Sequence, residues 1–434
     1  MNALAEELNL CLSGTVADRL LSDMGRHMYF PKGILSQSAE ADERAHRYNA
    51  TIGMAFEGGK PLILDAIRDS MPGLSPSEAV AYAPTAGVPA LRKRWKAEIE
   101  AKNPSLRGKD FSLPVVVPGL TAAISYIVDL FIEPGDTVVV PDLHWPNYRL
   151  IIEERKCAAG LTYPIFAGGG FNIAAFEARL REAGARRGKA CAILNFPNNP
   201  TGYSPTLSEA EAIVAALKRV ADEGTDLLVI ADDAYFGLQY EQNLLKESLF
   251  ARLTEAHERI LAVKADGPTK EDYVWGFRVG FISFAGKGLG AVRYDALVKK
   301  LMGIIRSSVS NSNGPGQHIL LKALDSKGYA EQKIRYRALL EGRYAKVREF
   351  LASHSLPSCL GILPFNSGYF MSFECLGISA EALRVALLAE GVGTISIQDR
   401  YLRVAFSSVE AKDVFGLYGA IFDTAAKLCA EKKK

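Results

Sequence analysis

The chain predicts an α/β fold in which a mainly parallel central sheet carries helices on both faces and is joined to a smaller α+β domain. Three observations predict it. Between about residues 115 and 285, short runs rich in β-branched residues alternate with segments of helical spacing. Those runs are continuously apolar rather than alternating, as strands buried on both faces are. From about residue 320 the pattern changes to long helices followed by short strands.

Taken in order, Val115-Val116-Val117, Thr137 to Val140, Cys191 to Leu194, Leu227 to Ile230, Ile260 to Val263 and Val279 to Phe284 are the predicted strands. Between them, Ile213, Leu217 and Val220 fall on one face of a helix. The later part offers the segment Asn366 to Phe373, a helix near Glu381 to Ala389, and short strands at Thr394 to Ile397 and Leu402 to Phe406. A last helix places Val414, Tyr418 and Ile421 on one stripe. The expected division is an N-terminal segment, 1–63, packing with the small domain, a large domain, 64–315, and a small C-terminal domain, 316–434. In a parallel sheet of this kind ligands gather at the carboxyl ends of the strands, so loops there carry most weight.

The 434 residues hold 51 Lys and Arg against 49 Asp and Glu, a net charge of +2, which gives no reason to expect a nucleic-acid or membrane partner. Apolar segments are interrupted before about 18 residues, so no membrane span is expected. Glu6 and Glu7 stand where a signal peptide would carry Lys or Arg. The six cysteines are scattered without a CxxC pair and read as reduced thiols of a cytoplasmic protein. The six histidines are equally dispersed, and no metal site is expected.

Chemistry concentrates around Lys270, in Gly267-Pro-Thr-Lys-Glu-Asp-Tyr-Val-Trp-Gly-Phe-Arg278. A lysine can condense with an aldehyde and an arginine can hold a phosphate. Pyridoxal phosphate presents both groups, so the pair points to that cofactor. Upstream, Asn195-Phe-Pro-Asn-Asn199-Pro-Thr-Gly202 follows one predicted strand and Asp232-Asp-Ala-Tyr235 ends another. Each alone is a tight turn or a helix cap. Together, an amide and a carboxylate at adjoining strand ends can grip opposite edges of a heteroaromatic ring.

With these motifs in this order, the chain resembles the fold-type I pyridoxal-phosphate enzymes of the class I/II aminotransferase family, aspartate and aromatic aminotransferases especially. The resemblance runs from about Asn49 to Arg403 and implies the aspartate-aminotransferase fold and pyridoxal 5'-phosphate as cofactor. It implies that Lys270 forms the Schiff base and serves as catalytic base, and that Asp232 pairs with the pyridine nitrogen. Asn199 and Tyr235 would hydrogen-bond the ring's phenolic oxygen, and Arg278 would clamp the phosphate. Gly119, Leu120 and Thr121 match a phosphate-binding helix start, Trp145 a stacking aromatic, and Tyr82 a tyrosine that reaches the phosphate of the neighbouring subunit, which implies a homodimer. On the substrate side, Arg403 matches the arginine for the α-carboxylate, while Ile52, Gly53 and Phe370 match pocket-lining positions. Arg306 matches an arginine that dicarboxylate-using members extend across the dimer, although the two prolines that follow in that pattern are Ser312 and Asn313 here. A helix C-terminal arginine is the equal alternative for Arg306.

The flank of Lys270 departs from the commoner pattern. Gly267 stands where several relatives carry a phosphate-binding serine, Thr269 keeps a hydroxyl, and Pro268 and Tyr273 are unusual. Lys264 is a rival Schiff-base lysine, but it lies within a predicted strand and lacks the downstream arginine spacing. The expected activity is transamination between an L-amino acid and a 2-oxo acid, leaning to aspartate, glutamate or aromatic amino acids. The alternatives are a carbon–sulfur or β-eliminating lyase on the same scaffold and a non-catalytic cofactor-binding sensor.

Overall fold

The computed structural model describes residues 3–12, 34–51 and 53–432. Seven strands build the central sheet: β1 (Val115–Val117), β2 (Thr137–Pro141), β3 (Ala159–Tyr163), β4 (Lys189–Asn195), β5 (Asp226–Asp232), β6 (Ile260–Asp266) and β7 (Gly280–Gly286). Their spatial order is β1-β7-β6-β5-β4-β2-β3. Six run the same way, and only β7 is antiparallel to both its neighbours.

Parallel strands require crossover connections, and the sequence supplies helices for them. After α1 (Pro89–Lys102), they are α2 (Leu120–Phe131), α3 (Ile173–Arg187) and α4 (Leu207–Asp222). Thr206 and Glu209 form a capping box at the start of α4. Because side chains alternate along a strand, β5 sends Leu228 and Ile230 to one face and Leu227 and Val229 to the other. The first face packs on Ile124 and Ile127 of α2. The second packs on Ile213, Leu217 and Val220 of α4, all fully buried as their spacing predicts.

The six predicted strands are present, and β5 and β6 continue past their apolar runs to Asp232 and Asp266. Backbone pairing carries on through these polar ends, Asp232 lying opposite Asn195 on one side and Ala265 on the other. The sequence reading missed β3. It is an edge strand with one neighbour and exposed positions, so it lacks the continuous apolar run of its companions.

Further along come a short helix, α5 (Pro268–Glu271), α6 (Ala291–Ser308) and a 25-residue helix, α7 (Tyr329–Ser353). A second, antiparallel sheet has the order β8 (Leu360–Ile362), β9 (Phe370–Cys375), β11 (Tyr401–Ala405) and β10 (Ile395–Ile397). It is flanked by α8 (Ala380–Ala389) and α9 (Val414–Glu431), whose stripe of Val414, Tyr418 and Ile421 is buried. Tyr48 and Asn49 pair with Val392 and Gly393 beside this second sheet. Among the described residues no helix is long and apolar enough to cross a membrane.

Candidate active site

The carboxyl ends of the parallel strands converge on one cavity, lined by Leu120, Thr121, Trp145, Asn195, Asn199, Asp232, Ala234, Tyr235, Thr269, Lys270 and Arg278. Nine of the sequence-predicted site residues are therefore brought together. Each hangs from a strand end: Trp145 follows β2, Asn199 follows β4, Asp232 ends β5, and Lys270 sits on α5 just after β6.

Asp232 is buried, and burial pushes its carboxyl above the usual carboxylate range. A hydrogen bond from the Tyr148 hydroxyl and the nearby Lys270 charge oppose that rise. The amide of Ala234 donates to Asp232 Oδ1 at 3.2 Å. Asn195 ties the neighbouring loops together: its Nδ2 donates to the Asp232 carbonyl at 2.9 Å, and its Oδ1 accepts from Asn199 N at 2.9 Å.

Lys270 projects its amine over the Tyr235 ring, 5.0 Å from the centroid. Burial lowers its pKa to about 8, with Asp232 pulling upward and Arg278 adding to the fall. The Tyr369 hydroxyl donates to the Lys270 carbonyl at 3.0 Å and steadies the turn from outside the cavity. Burial raises the Tyr235 pKa, so this phenol remains a hydrogen-bond donor.

At the other end, Arg278 adopts a left-handed backbone, φ 52°, and its guanidinium donates to the carbonyls of Trp275 at 3.2 Å and Pro118 at 3.5 Å. This lays it against Gly119, where an added Cβ would fall 2.3 Å from Arg278 Nη2. Gly119 itself has φ 83° and caps α2. A guanidinium beside the free amides of a helix start is a site for a phosphate. Gly267 approaches the same place: a Cβ there would lie 3.0 Å from Gly280 Cα and 3.1 Å from Leu120 Cδ1. The close passage of β7's start thus favours glycine over serine at position 267.

Arg403, on β11, adjoins the cavity through Asn199. It is 2% exposed and donates to Asn199 Oδ1 at 3.2 Å and to the Thr51 carbonyl at 2.9 Å. Its guanidinium lies 4.4 Å from the Phe370 ring centroid. Burial lowers its pKa to about 10, Tyr235 opposing. Its Nε has no hydrogen-bond partner, and among the described residues no carboxylate pairs with it. A buried guanidinium left in this state matches an incoming carboxylate. Gly53 packs against Phe370, its Cβ position 3.2 Å from Phe370 Cζ and 3.8 Å from the Tyr235 hydroxyl.

Two expected residues stand apart, and a third is not among those described. Tyr82 is 92% exposed and does not line this cavity. Arg306 is exposed at the end of α6, where Nη1 donates to Ser310 Oγ at 2.5 Å. Ile52 lies outside the described residues. The rival Lys264 points away from the cavity, 1% exposed and paired with Asp233 and, at 3.4 Å, Asp266. Burial favours its neutral form, but these two carboxylates win and keep it protonated.

The sequence reading missed Tyr148 and Asn195 as site residues. Asn195 opened the motif already singled out, Asn195 to Gly202, and Tyr148 lies three residues after Trp145. The signal for Asn195 was a polar side chain closing a buried strand opposite another strand's terminal aspartate.

One buried carboxylate, a lysine of lowered proton affinity, neutral amide and phenol donors, an indole, and a guanidinium beside a helix start together fit an aromatic aldehyde carrying a phosphate. Comparison with known proteins agrees. The model of the family "aminotransferase class I and II" matches residues 54–419. A probable N-acetyl-LL-diaminopimelate aminotransferase of Bacillus subtilis is 23% identical over 335 residues, covering 75% of this chain and 77% of its own. The aspartate/prephenate aminotransferase of Thermus thermophilus is 24% identical over 336 residues, covering 76% and 79%. Among solved structures, an aminotransferase from Anaerococcus prevotii superposes with a TM-score of 0.83 at 21% identity, over 94% of this chain and 99% of that one. The Pyrococcus horikoshii kynurenine aminotransferase gives 0.78 at 18% identity, over 95% and 98%. The chain belongs to the class I and II aminotransferases, enzymes that use pyridoxal 5'-phosphate to exchange an amino group between an amino acid and a 2-oxo acid.

Proposed function

We propose that Lys270 binds the cofactor covalently and moves the substrate's Cα proton, in a cytoplasmic homodimer that acts on dicarboxylic or aromatic L-amino acids. One observation carries this reading: the Lys270 amine and the Asp232 carboxylate open into one cavity whose far end is Arg278 laid on the start of α2.

When bound, pyridoxal phosphate supplies an electron sink for the charge left on the substrate Cα. Asp232, its oxygens already engaged by Tyr148 and Ala234 N, presents a carboxylate to the ring nitrogen and keeps a proton there. Asn199 and Tyr235 would donate to the ring's phenolic oxygen, and Trp145 would cover the ring face. Arg278 and the α2 start, Gly119 to Thr121 with Thr269 nearby, hold the phosphate. Once displaced from the cofactor by the substrate's amine, Lys270 Nζ, with its pKa near 8, would accept the Cα proton and return it on the other side of the transfer. Arg403 receives the α-carboxylate as a two-pronged donor, and Gly53 and Phe370 bound the side-chain space.

The dimer is supported by Tyr82, which extends from the surface beside exposed Val80 and so is available to a neighbouring subunit's phosphate. Arg306, exposed and outside its own cavity, is assigned to a distal carboxylate in that neighbour. Relatives named for aspartate/prephenate and LL-diaminopimelate support the dicarboxylate reading. The cytoplasmic assignment is supported by Cys157, Cys191, Cys375 and Cys429, which form no disulfide. Residues 64–315 and 316–434 are taken as the large and small domains.

Mixing the holoenzyme with single amino acids tests the substrate reading. Aspartate or glutamate is expected to convert the bound cofactor's visible absorbance rapidly to that of its amino form, and Arg306→Ala to lose this response. Conversion with neutral amino acids alone would refute the dicarboxylate assignment.

A further inference from the structure

The two residues after Lys270 are acidic, partly or fully buried, and turned away from the cavity that holds Lys270. The Glu271 side chain is 13% exposed and that of Asp272 is fully buried. Neither lines the cavity that holds Lys270. Glu271 instead borders a second cavity of about 460 Å³ together with Lys102, Tyr329 and Lys333.

Lys333 Nζ lies 2.8 Å from Glu271 Oε1 and 2.8 Å from Asp272 Oδ1. Lys102 Nζ lies 2.7 Å from the same Glu271 oxygen, and the Tyr329 hydroxyl donates to Asp272 Oδ1 at 2.5 Å. Burial alone would raise the Glu271 carboxyl, but Lys102 and Lys333 hold it well below the usual range. The next residue, Tyr273, turns the chain with φ 58° and packs edge-on against Tyr336, 5.3 Å between centroids. Lys102 ends α1, whereas Tyr329, Lys333 and Tyr336 lie in the first turns of α7. Arg337 of the same helix donates to the carbonyls of Gly237 at 3.2 Å and Gln239 at 2.6 Å, just beyond Tyr235.

Such a cluster is a costly way to stabilise a fold. Removing an ion from water costs several kcal/mol, roughly, even after relaxation, and well-packed apolar residues often do as well. Here the cost is not fully recovered, since Asp272 Oδ2 has no partner. What the cluster does supply is geometry. Three ammonium contacts and one phenol contact fix consecutive residues immediately after Lys270, on the side of α5 opposite the cavity.

We infer that Lys333 is a positioning residue for catalysis: by gripping Glu271 and Asp272 from α7 it sets the reach of the Lys270 amine, and ties that reach to the position of the long helix. The inference rests on Lys270 being the cofactor lysine. Inside the cavity the amine faces Asp232, Arg278 and Tyr235, and releasing the turn on its outer side displaces it relative to all three. A displacement of about 1 Å at a reacting group can lower a rate as much as a hundredfold.

The test uses holoenzyme carrying Lys333→Met or Lys333→Arg. Lys333→Met is expected to retain the visible cofactor band, to shift the pH midpoint of that band, and to lower kcat about ten- to a hundredfold with little change in KM. Lys333→Arg is expected to restore most of both. An unchanged midpoint and unchanged kcat per bound cofactor, with only melting temperature reduced, would overturn the inference and leave the cluster a structural brace. Should Lys333→Met not fold, Tyr329→Phe removes one phenol donor and is read by the same midpoint and kcat. Failure of the underlying assignment is separately visible, because Lys270→Ala would then keep the covalent cofactor band that Lys333→Met is designed to perturb.

Discussion

The phenol of Tyr148 donates to a carboxylate that burial alone would drive toward protonation. A hydrogen bond to a charged acceptor contributes about 1.5–3 kcal/mol, and an acceptor stranded in a buried site costs a similar amount. Tyr148→Phe keeps the ring and removes only that donor. It is expected to leave the fold intact and slow the half-reaction by roughly ten- to a hundredfold, measured by stopped-flow absorbance; an unaltered rate would show that Asp232 needs no help. Lys270 offers a second residue-scale test in protein stripped of cofactor. Its pKa falls from 10.5 to about 8 on folding, so between those values the unfolded chain binds more protons and stability rises with pH. Below that window the buried ammonium is a constant penalty. Lys270→Met is therefore expected to be the more stable apoprotein near neutrality, with the difference shrinking as pH rises from about 8 to about 10.5, followed by urea denaturation. A difference that stays constant over that range would contradict the burial of the amine. The motif residues were legible in the sequence because turn formers and charged groups stand out at the ends of apolar runs. Tyr148 and Asn195 were not, because their importance lies in whom they touch across strands, which spacing along the chain does not encode.

The strands place these residues by ending where apolar sequence gives way to polar. β4, β5 and β6 finish in Asn195, Asp232 and Asp266, and the register aligns Asp232 with Asn195. Alternation then separates two lysines that the sequence could not fully distinguish. Lys264 and Asp266 lie two residues apart on β6 and share a face, where Trp95 Nε1 donates to Asp266 at 3.2 Å, while Lys270 on α5 turns into the cavity. Strand existence was readable from continuous apolar runs. β3 was not, because a half-exposed edge strand carries no such run. The glycine at 267 was visible in the sequence as a departure, but its cause is the passage of Gly280 and Val279 beside it. Gly267→Ser is expected to lower stability by about 1–3 kcal/mol through overpacking, read from denaturant midpoints. A neutral or stabilising effect would mean that β7 yields readily at this point.

At the scale of the whole molecule, the large, mainly parallel sheet provides the cavity that holds Asp232 and Lys270, and the four-stranded sheet contributes Arg403 and Phe370 from adjacent strands. Coverage of the fold by solved relatives over 94% of the chain agrees with the α/β reading made from apolar runs alone. We propose that what one chain leaves outside its own cavity, Tyr82 and Arg306, serves assembly rather than folding. The purified protein is accordingly expected to sediment as a dimer, and a monomer of full activity would remove both residues from the site. The central claim is that Lys270 is the lysine joined to the cofactor. Reducing the holoenzyme with borohydride, digesting it and locating the cofactor-bearing peptide by mass spectrometry tests this directly. The adduct is expected on Lys270, within the peptide that also contains Pro268 and Thr269. An adduct on Lys264, or on any other lysine, would contradict it.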